Sequence, residues 1–161
     1  MHVTKFQKLI TNPFLFRLYL LQKLPLAYVA GLKVAELSNE KAAVTVKYGW
    51  LTQNPFRSMY FACLSMAAEM STGVLVMNGI FNSQPPVSML IVKNHAMYHK
   101  KAIGKITFTC TDGGMINDSV AKAKTTGETV LIDTTSIGKD EAGDVVAEFV
   151  FTWSMKVKTN S

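Results

Sequence analysis

The sequence predicts an α+β protein in which a mostly antiparallel sheet curves around one long apolar helix. Three observations predict it. Residues 58–77, SMYFACLSMAAEMSTGVLVM, read as a helix that is apolar on nearly every side, so it must be enclosed. Strand-like segments outnumber helices and do not alternate regularly with them, which argues against a doubly wound parallel sheet. The chain also closes on a clear hairpin. Across residues 144–158, Val145, Ala147, Phe149, Phe151, Trp153, Met155 and Val157 share one face. Glu148, Thr152, Ser154, Lys156 and Lys158 share the other, the period-two pattern of a half-buried strand.

The elements follow in order. Thr11, Asn12 and Pro13 form a helix start, with Asn12 as cap and Pro13 as first helical residue, and the helix runs through FLFRLYLLQK to stop before Pro25. Gly31 opens an alternating region in which KVAEL and AAVTVKYG are two strands. They turn at Ser38, Asn39 and Glu40, with Val44, Val46 and Tyr48 on one face. After WLTQNP comes the long helix, about 30 Å of it, ending at Asn78-Gly79. SQPP breaks the chain, and VSMLIVKNHAMYHK and GKITFTCTD are the next strands. Asp112-Gly113-Gly114 reads as a turn. A short helix over MINDSVAKAKTT follows, with Gly127 as its terminator, since glycine accepts the left-handed conformation that ends a helix. ETVLIDTTSI then turns through GKDEAG into the last strand.

The totals narrow the classes of function. A chain of 161 residues is expected to form a single domain, 1–161, with residues 1–30 as an N-terminal helical extension. Charged residues make up 17% against the usual share of about 25%, so some apolar surface should meet another subunit. A net charge of +6 points either to anionic company, such as a phosphorylated small molecule, or to plain solubility. Nucleic acid is not expected as a partner, because no dense basic tract and no aromatic-plus-basic motif occurs. Cys63 and Cys110 lack metal-ligand spacing and read as buried free thiols in a reducing, cytoplasmic setting. The apolar stretch PFLFRLYLLQKLPLAYVAG contains Arg17, Lys23 and Pro25, so neither a membrane span nor a signal peptide is expected there. No metal signature or Gly-x-Ser-x-Gly elbow appears. His2 reads as part of a mobile terminus.

One residue stands apart. Glu69 is the only Asp, Glu, Lys, Arg or His between Arg57 and Lys93. At 100° per residue, Ser58, Ser65, Glu69 and Thr72 fall close to one line along the helix, with Asn54 just upstream. A carboxylate in such a seam can pair with a cation from another element, or accept bonds from the neighbouring hydroxyls to fix the helix. It can also act as a general base or nucleophile, its pKa raised by apolar surroundings. The last role needs a place for developing negative charge, and the free N–H groups around Met59 to Phe61 would supply it.

At these residues the chain resembles a known family. NPFRSMYFACLSMAAEM is similar to the helix entry of hot-dog fold thioesterases of the phenylacetyl-CoA type. Asn54 matches the family's Asn, Glu69 matches its helix acid, and Tyr60, Phe61 and Ala62 stand where the family has His-Gly-Gly. NPFLFRLYLLQKLPLAYVAGLKVAEL is similar to an uncharacterised thioesterase-like branch with a leading helix. The resemblance implies a hot-dog fold with an extra N-terminal helix, and hydrolysis of an acyl-CoA thioester, CoA entering as part of the substrate and no cofactor being needed. Glu69 would activate water or attack the carbonyl, the Phe61 N–H would steady the oxyanion, and Asn54 would orient water or substrate. Ser65 and Thr72 would hold the carboxylate, beside Ser58 and Tyr60 in the substrate site. His99, Lys100 and Lys101, with His95 and Tyr98 before them, would meet the phosphate-bearing arm or else form an exposed strand end. Met59, Met66 and Met70 would line an acyl pocket or the ordinary core. A homodimer is implied, possibly a homotetramer, with sites formed between subunits.

Two alternatives accompany this reading. Tyr60-Phe61-Ala62 in place of His-Gly-Gly favours a non-catalytic binder of acyl-CoA or fatty acyl chains. A hydratase or dehydratase of enoyl or hydroxyacyl thioesters would need His95 or His99 opposite Glu69.

Overall fold

The computed structural model describes residues 4–158; His2 lies outside them. Three helices open the chain: α1 (Lys5–Thr11), α2 (Pro13–Lys23) and α3 (Pro25–Val29). Asn12 caps α2 as expected, its side chain accepting from the Phe14 and Leu15 N–H groups. Two of these helices were not legible in the sequence. α1 is set by Thr4 and Gln7, which form a reciprocal capping box and so satisfy two orphan donors at once. α3 begins at Pro25 itself, proline being compatible with a first helical turn; it spans only five residues.

The strands are β1 (Lys33–Leu37), β2 (Ala42–Lys47), β3 (Val87–Tyr98), β4 (Lys105–Cys110), β5 (Val130–Lys139) and β6 (Val145–Val157). They form one antiparallel sheet in the order β1-β2-β4-β5-β6-β3. The alternation read in β6 holds: Ala147, Phe149, Phe151, Trp153 and Met155 are all buried. With Val44 and Val46 of β2 and Ile106 and Phe108 of β4 they make the concave, apolar face of the sheet.

Against that face lies α4 (Phe61–Ile80), 20 residues long. By length and composition it could cross a membrane, yet it serves here as the core helix of the sheet. This arrangement is the hot-dog fold. Val44 and Val46 are buried, and α4 packs on the inner face through Cys63, Leu64, Ala67, Ala68, Leu75 and Val76. Its many alanines matter, because small side chains let a helix and a sheet approach closely while excluding water.

Three boundaries differ from the sequence reading, one of them the far end of α4, which runs through Asn78 and Gly79 to Ile80. The helix starts at Phe61, not Ser58, because residues 58–60 are tied into loops on both sides. Met59 pairs with Gln53 in an isolated bridge, its N–H donates to the Ala102 carbonyl at 2.8 Å, and the Tyr60 N–H donates to the Thr52 carbonyl at 2.7 Å. Asp112-Gly113-Gly114 is likewise more than a turn: Gly113 and Gly114 open α5 (Gly113–Thr126). A Cβ on Gly113 would stand 2.1 Å from the Asn39 carbonyl oxygen. Close approach of α5 to the β1–β2 turn therefore requires glycine there. Gly127 terminates α5 with φ of 72° and donates its N–H to Ala123, as expected. Cys63 and Cys110 are buried free thiols.

Candidate active site

The sequence-singled residues divide between two places. The first is the entry of α4, where a cavity of about 440 Å³ is lined by Asn54, Ser58, Tyr60, Phe61, His99, Lys100 and Lys101 among others. Asn54 builds this entry. Its Oδ1 accepts from the Phe56 N–H at 2.9 Å and the Ser58 N–H at 3.2 Å. Its Nδ2 donates to Ser58 Oγ at 3.1 Å and to the Met59 carbonyl at 3.2 Å. The amide is thereby occupied in shaping the loop, so Asn54 positions the helix entry rather than presenting free groups to a ligand. Tyr60 is the cap residue and supplies no side-chain bond. Among the described residues the Phe61 and Ala62 N–H groups have no acceptor, which leaves the positive end of a 20-residue helix facing this cavity. The Phe61 ring is exposed and lies edge-on to Tyr60 at 4.9 Å.

The charges around this mouth are more committed than the sequence implied. Lys100 Nζ stands 2.7 Å from both Asp140 and Asp144. The hydrogen bonds to these acids hold the ammonium above its ordinary pKa, and the Lys100 bond holds Asp140 below its own. Lys100, just after β3, is thus tied to the β5–β6 turn. His99 Nε2 meets Glu148 Oε1 at 3.0 Å. Lys101 reaches the Phe56 carbonyl at 3.4 Å and pairs with no carboxylate among the described residues, which leaves its charge available.

Glu69 is in the second place. It lies eight residues into α4 from Phe61, about 12 Å along the axis, and does not line the entry cavity. It lines instead an open chamber of about 300 Å³ with Lys23, Leu24, Leu26, Met66 and Met70. On the other side it lines a narrow space of about 60 Å³ with Leu24, Met70, Gly73, Val74 and Met77. The N-terminal helices roof both. No cation lies within ion-pair distance of the carboxylate among the described residues, and burial pushes its pKa up to about 7. A carboxylate with that pKa can exchange a proton near neutrality, the property required of a general base.

The expected hydroxyl seam is only partly present. Ser58 precedes the helix. Thr72 is fully buried and turns its hydroxyl away from the carboxylate: Oγ1 donates to the Glu69 carbonyl at 3.0 Å and accepts from Trp153 Nε1–H at 3.1 Å. Ser65 is half-buried one turn before Glu69. Neither His95 nor His99 lines either chamber around Glu69, so among the described residues of one chain no histidine opposes Glu69 as a hydratase would need. Met59 lines the helix entry, whereas Met66 and Met70 line the chamber. Leu24 and Gly73 were missed by sequence reasoning. Gly73 carried a legible signal, since a glycine inside a helix costs about 1 kcal/mol and marks a close approach.

With the geometry in hand, the comparisons place the chain. A family model described as a domain of unknown function, DUF4442, matches residues 13–155. The chain belongs to the DUF4442 family. No curated protein matches this DUF4442 chain by sequence. Among solved structures, it is similar to a protein of unknown function and probable thioesterase from Pseudomonas aeruginosa, at 19% identity and a TM-score of 0.77. That match covers 93% of this chain and 99% of the other. A thioesterase from Haemophilus influenzae aligns at 13% identity and a TM-score of 0.65, covering 89% of this chain and 91% of the other. At such identities the likeness establishes the shared hot-dog fold of the DUF4442 protein, which agrees with the sheet order and central helix described above.

Proposed function

We propose that this DUF4442 protein is an acyl-CoA thioesterase in which Glu69 is the general base. The observation that carries the reading is the Glu69 carboxylate itself: unpaired, lifted towards neutrality by burial, and set at the rim of an apolar chamber. The fold is one that proteins named as thioesterases share. Glu69 takes a proton from water as the water oxygen adds to the thioester carbonyl. The resulting oxyanion is stabilised by helix-terminal N–H groups. It then collapses, the carbon–sulfur bond breaks, and the proton held by Glu69 passes to the departing CoA thiolate. The products are a carboxylic acid and free CoA.

Helix geometry adds a requirement. The Phe61 N–H and the Glu69 carboxylate of one chain are about 12 Å apart along the helix, too far to flank one carbonyl. A homodimer that sets the helix entry of one protomer against Glu69 of its partner removes that gap. Strand β3 supports such pairing: it is a sheet edge of 12 residues and leaves Leu90, Val92, Met97 and Tyr98 exposed. Lys101 at the helix entry would then meet the phosphates of CoA.

The test is hydrolysis of a panel of acyl-CoAs followed with a thiol reagent, for the native protein and for Glu69→Gln. Turnover that falls at least a hundredfold in a folded Glu69→Gln supports the reading, and unchanged turnover removes it. A second reading, acyl-CoA binding without turnover, is favoured by the occupied amide of Asn54 and by the bulk of Phe61 at the helix entry. Saturable binding without release of thiol would establish it instead.

A further inference from the structure

We infer that the two chambers beneath the N-terminal helices form one acyl-thioester site, the outer taking the thioester end and the inner, which reaches Met77, selecting linear, medium-length alkyl groups. The inference rests on the thioester reading of Glu69 and adds to it the class of acyl group.

The chambers share Leu24, Glu69 and Met70, so they meet at the carboxylate. With the thioester carbonyl at Glu69, the acyl chain runs inward along α4 from Glu69 to Met77, about 12 Å, the span of an extended chain of roughly ten carbons, and the outer chamber takes the thioester end. The outer chamber of about 300 Å³ is at the small end of the usual range for ligand sites. Apart from Glu69 and Lys23 its lining is apolar: Leu24, Pro25, Leu26, Ala27, Met66 and Met70. The inner space, about 60 Å³, is well below the roughly 150 Å³ of a cavity that accepts benzene, which favours a linear chain over a ring. Three of the methionines on this path, Met66, Met70 and Met77, are unbranched and adaptable, which suits a flexible guest. Gly73 makes room for the carboxylate at the junction, because a Cβ there would lie 2.9 Å from Glu69 Oε1. The outer roof is open to solvent: Leu24 and Leu26 come from the α2–α3 corner and are exposed, whereas Ala27 beside them belongs to the core. Their exposure is what a bound acyl thioester would cover.

The site is tested with S-alkyl-CoA thioethers of 4 to about 16 carbons, which cannot be hydrolysed, titrated by calorimetry against the full-length native protein. Binding should tighten about fourfold per added methylene as the chain enters the apolar path, then flatten near 10 carbons. Met77→Trp, which fills the inner end, should move that break to shorter chains by about four carbons. Leu24→Gln, an exposed position where folding tolerates the change, should weaken the long ligands at least tenfold and the four-carbon ligand little. Affinity independent of chain length, no binding at millimolar ligand, or a length profile untouched by both variants overturns the inference. The two readings separate cleanly. The full length profile in a protein that releases no thiol from acyl-CoAs removes the hydrolase and leaves the acyl site, whereas hydrolysis with no length profile does the reverse.

Discussion

Gly73 lies one helical turn beyond Glu69, and a Cβ on it would stand 2.9 Å from the Glu69 Oε1. The carboxylate occupies the space that any other residue would fill. Beyond it, the Trp153 ring would be 3.4 Å from the same Cβ, an ordinary contact. A costly residue in mid-helix is therefore explained by the acid beside it.

Gly73→Ala should separate stability from activity. Alanine favours the helix by about 0.5–1 kcal/mol, and the only close neighbour is the far end of a flexible side chain. The melting temperature should hold or rise by a few degrees. Turnover should fall tenfold or more, because the carboxylate is pushed from its seat. Parallel thermal melts and acyl-CoA assays check both.

Glu69 should also make stability depend on pH in the unusual direction for an acid. Its folded pKa of about 7 exceeds the ordinary value of 4.5, so between these values the folded state holds more protons than the unfolded chain. Stability then falls as pH rises across that window, by up to about 3 kcal/mol, and levels off above pH 7. Glu69→Gln removes the dependence. In urea titrations the variant should match the native protein at pH 4.5 and exceed it at pH 8. In the native protein, kcat/KM should rise with pH through about 7 as the base loses its proton.

The indole of Trp153 gives a purely structural prediction. Its Nε1–H donates to Thr72 Oγ1 at 3.1 Å, with both residues buried. Thr72→Val keeps the shape and strands the N–H, at a cost of about 1–3 kcal/mol. Thr72→Ser retains the acceptor and should recover most of that loss. Chemical denaturation of the three proteins measures the difference.

The exposed edge of β3 predicts assembly. Its backbone is paired on one side only, to β6, and an open apolar edge invites a second strand. Light scattering should find a dimer at micromolar concentration. Lysines at Leu90 and Val92 together should shift it to monomer. If the site is shared between protomers, turnover should fall with the dimer fraction.

Much of the fold was written in short-range patterns. Asn12-Pro13 starts α2, Gly127 ends α5, and the alternation from Val145 to Val157 sets β6, since capping and strand periodicity are local properties of the chain. The same holds for the importance of Glu69: a lone acid in 35 residues without another charge is visible without coordinates. Tertiary packing decided the rest. Ser58 lost its place on the helix because Thr52 and Ala102, distant in sequence or in the loop, bind the backbone at Met59 and Tyr60. Lys100 is drawn to Asp140 and Asp144, forty residues and more away. The helix entry and the acid stand at separate cavities because a rigid helix keeps them about 12 Å apart. The sequence determined by itself that a carboxylate would be buried. Which walls surround it, and that α2 and α3 supply them, depended on long-range contacts that no local pattern encodes.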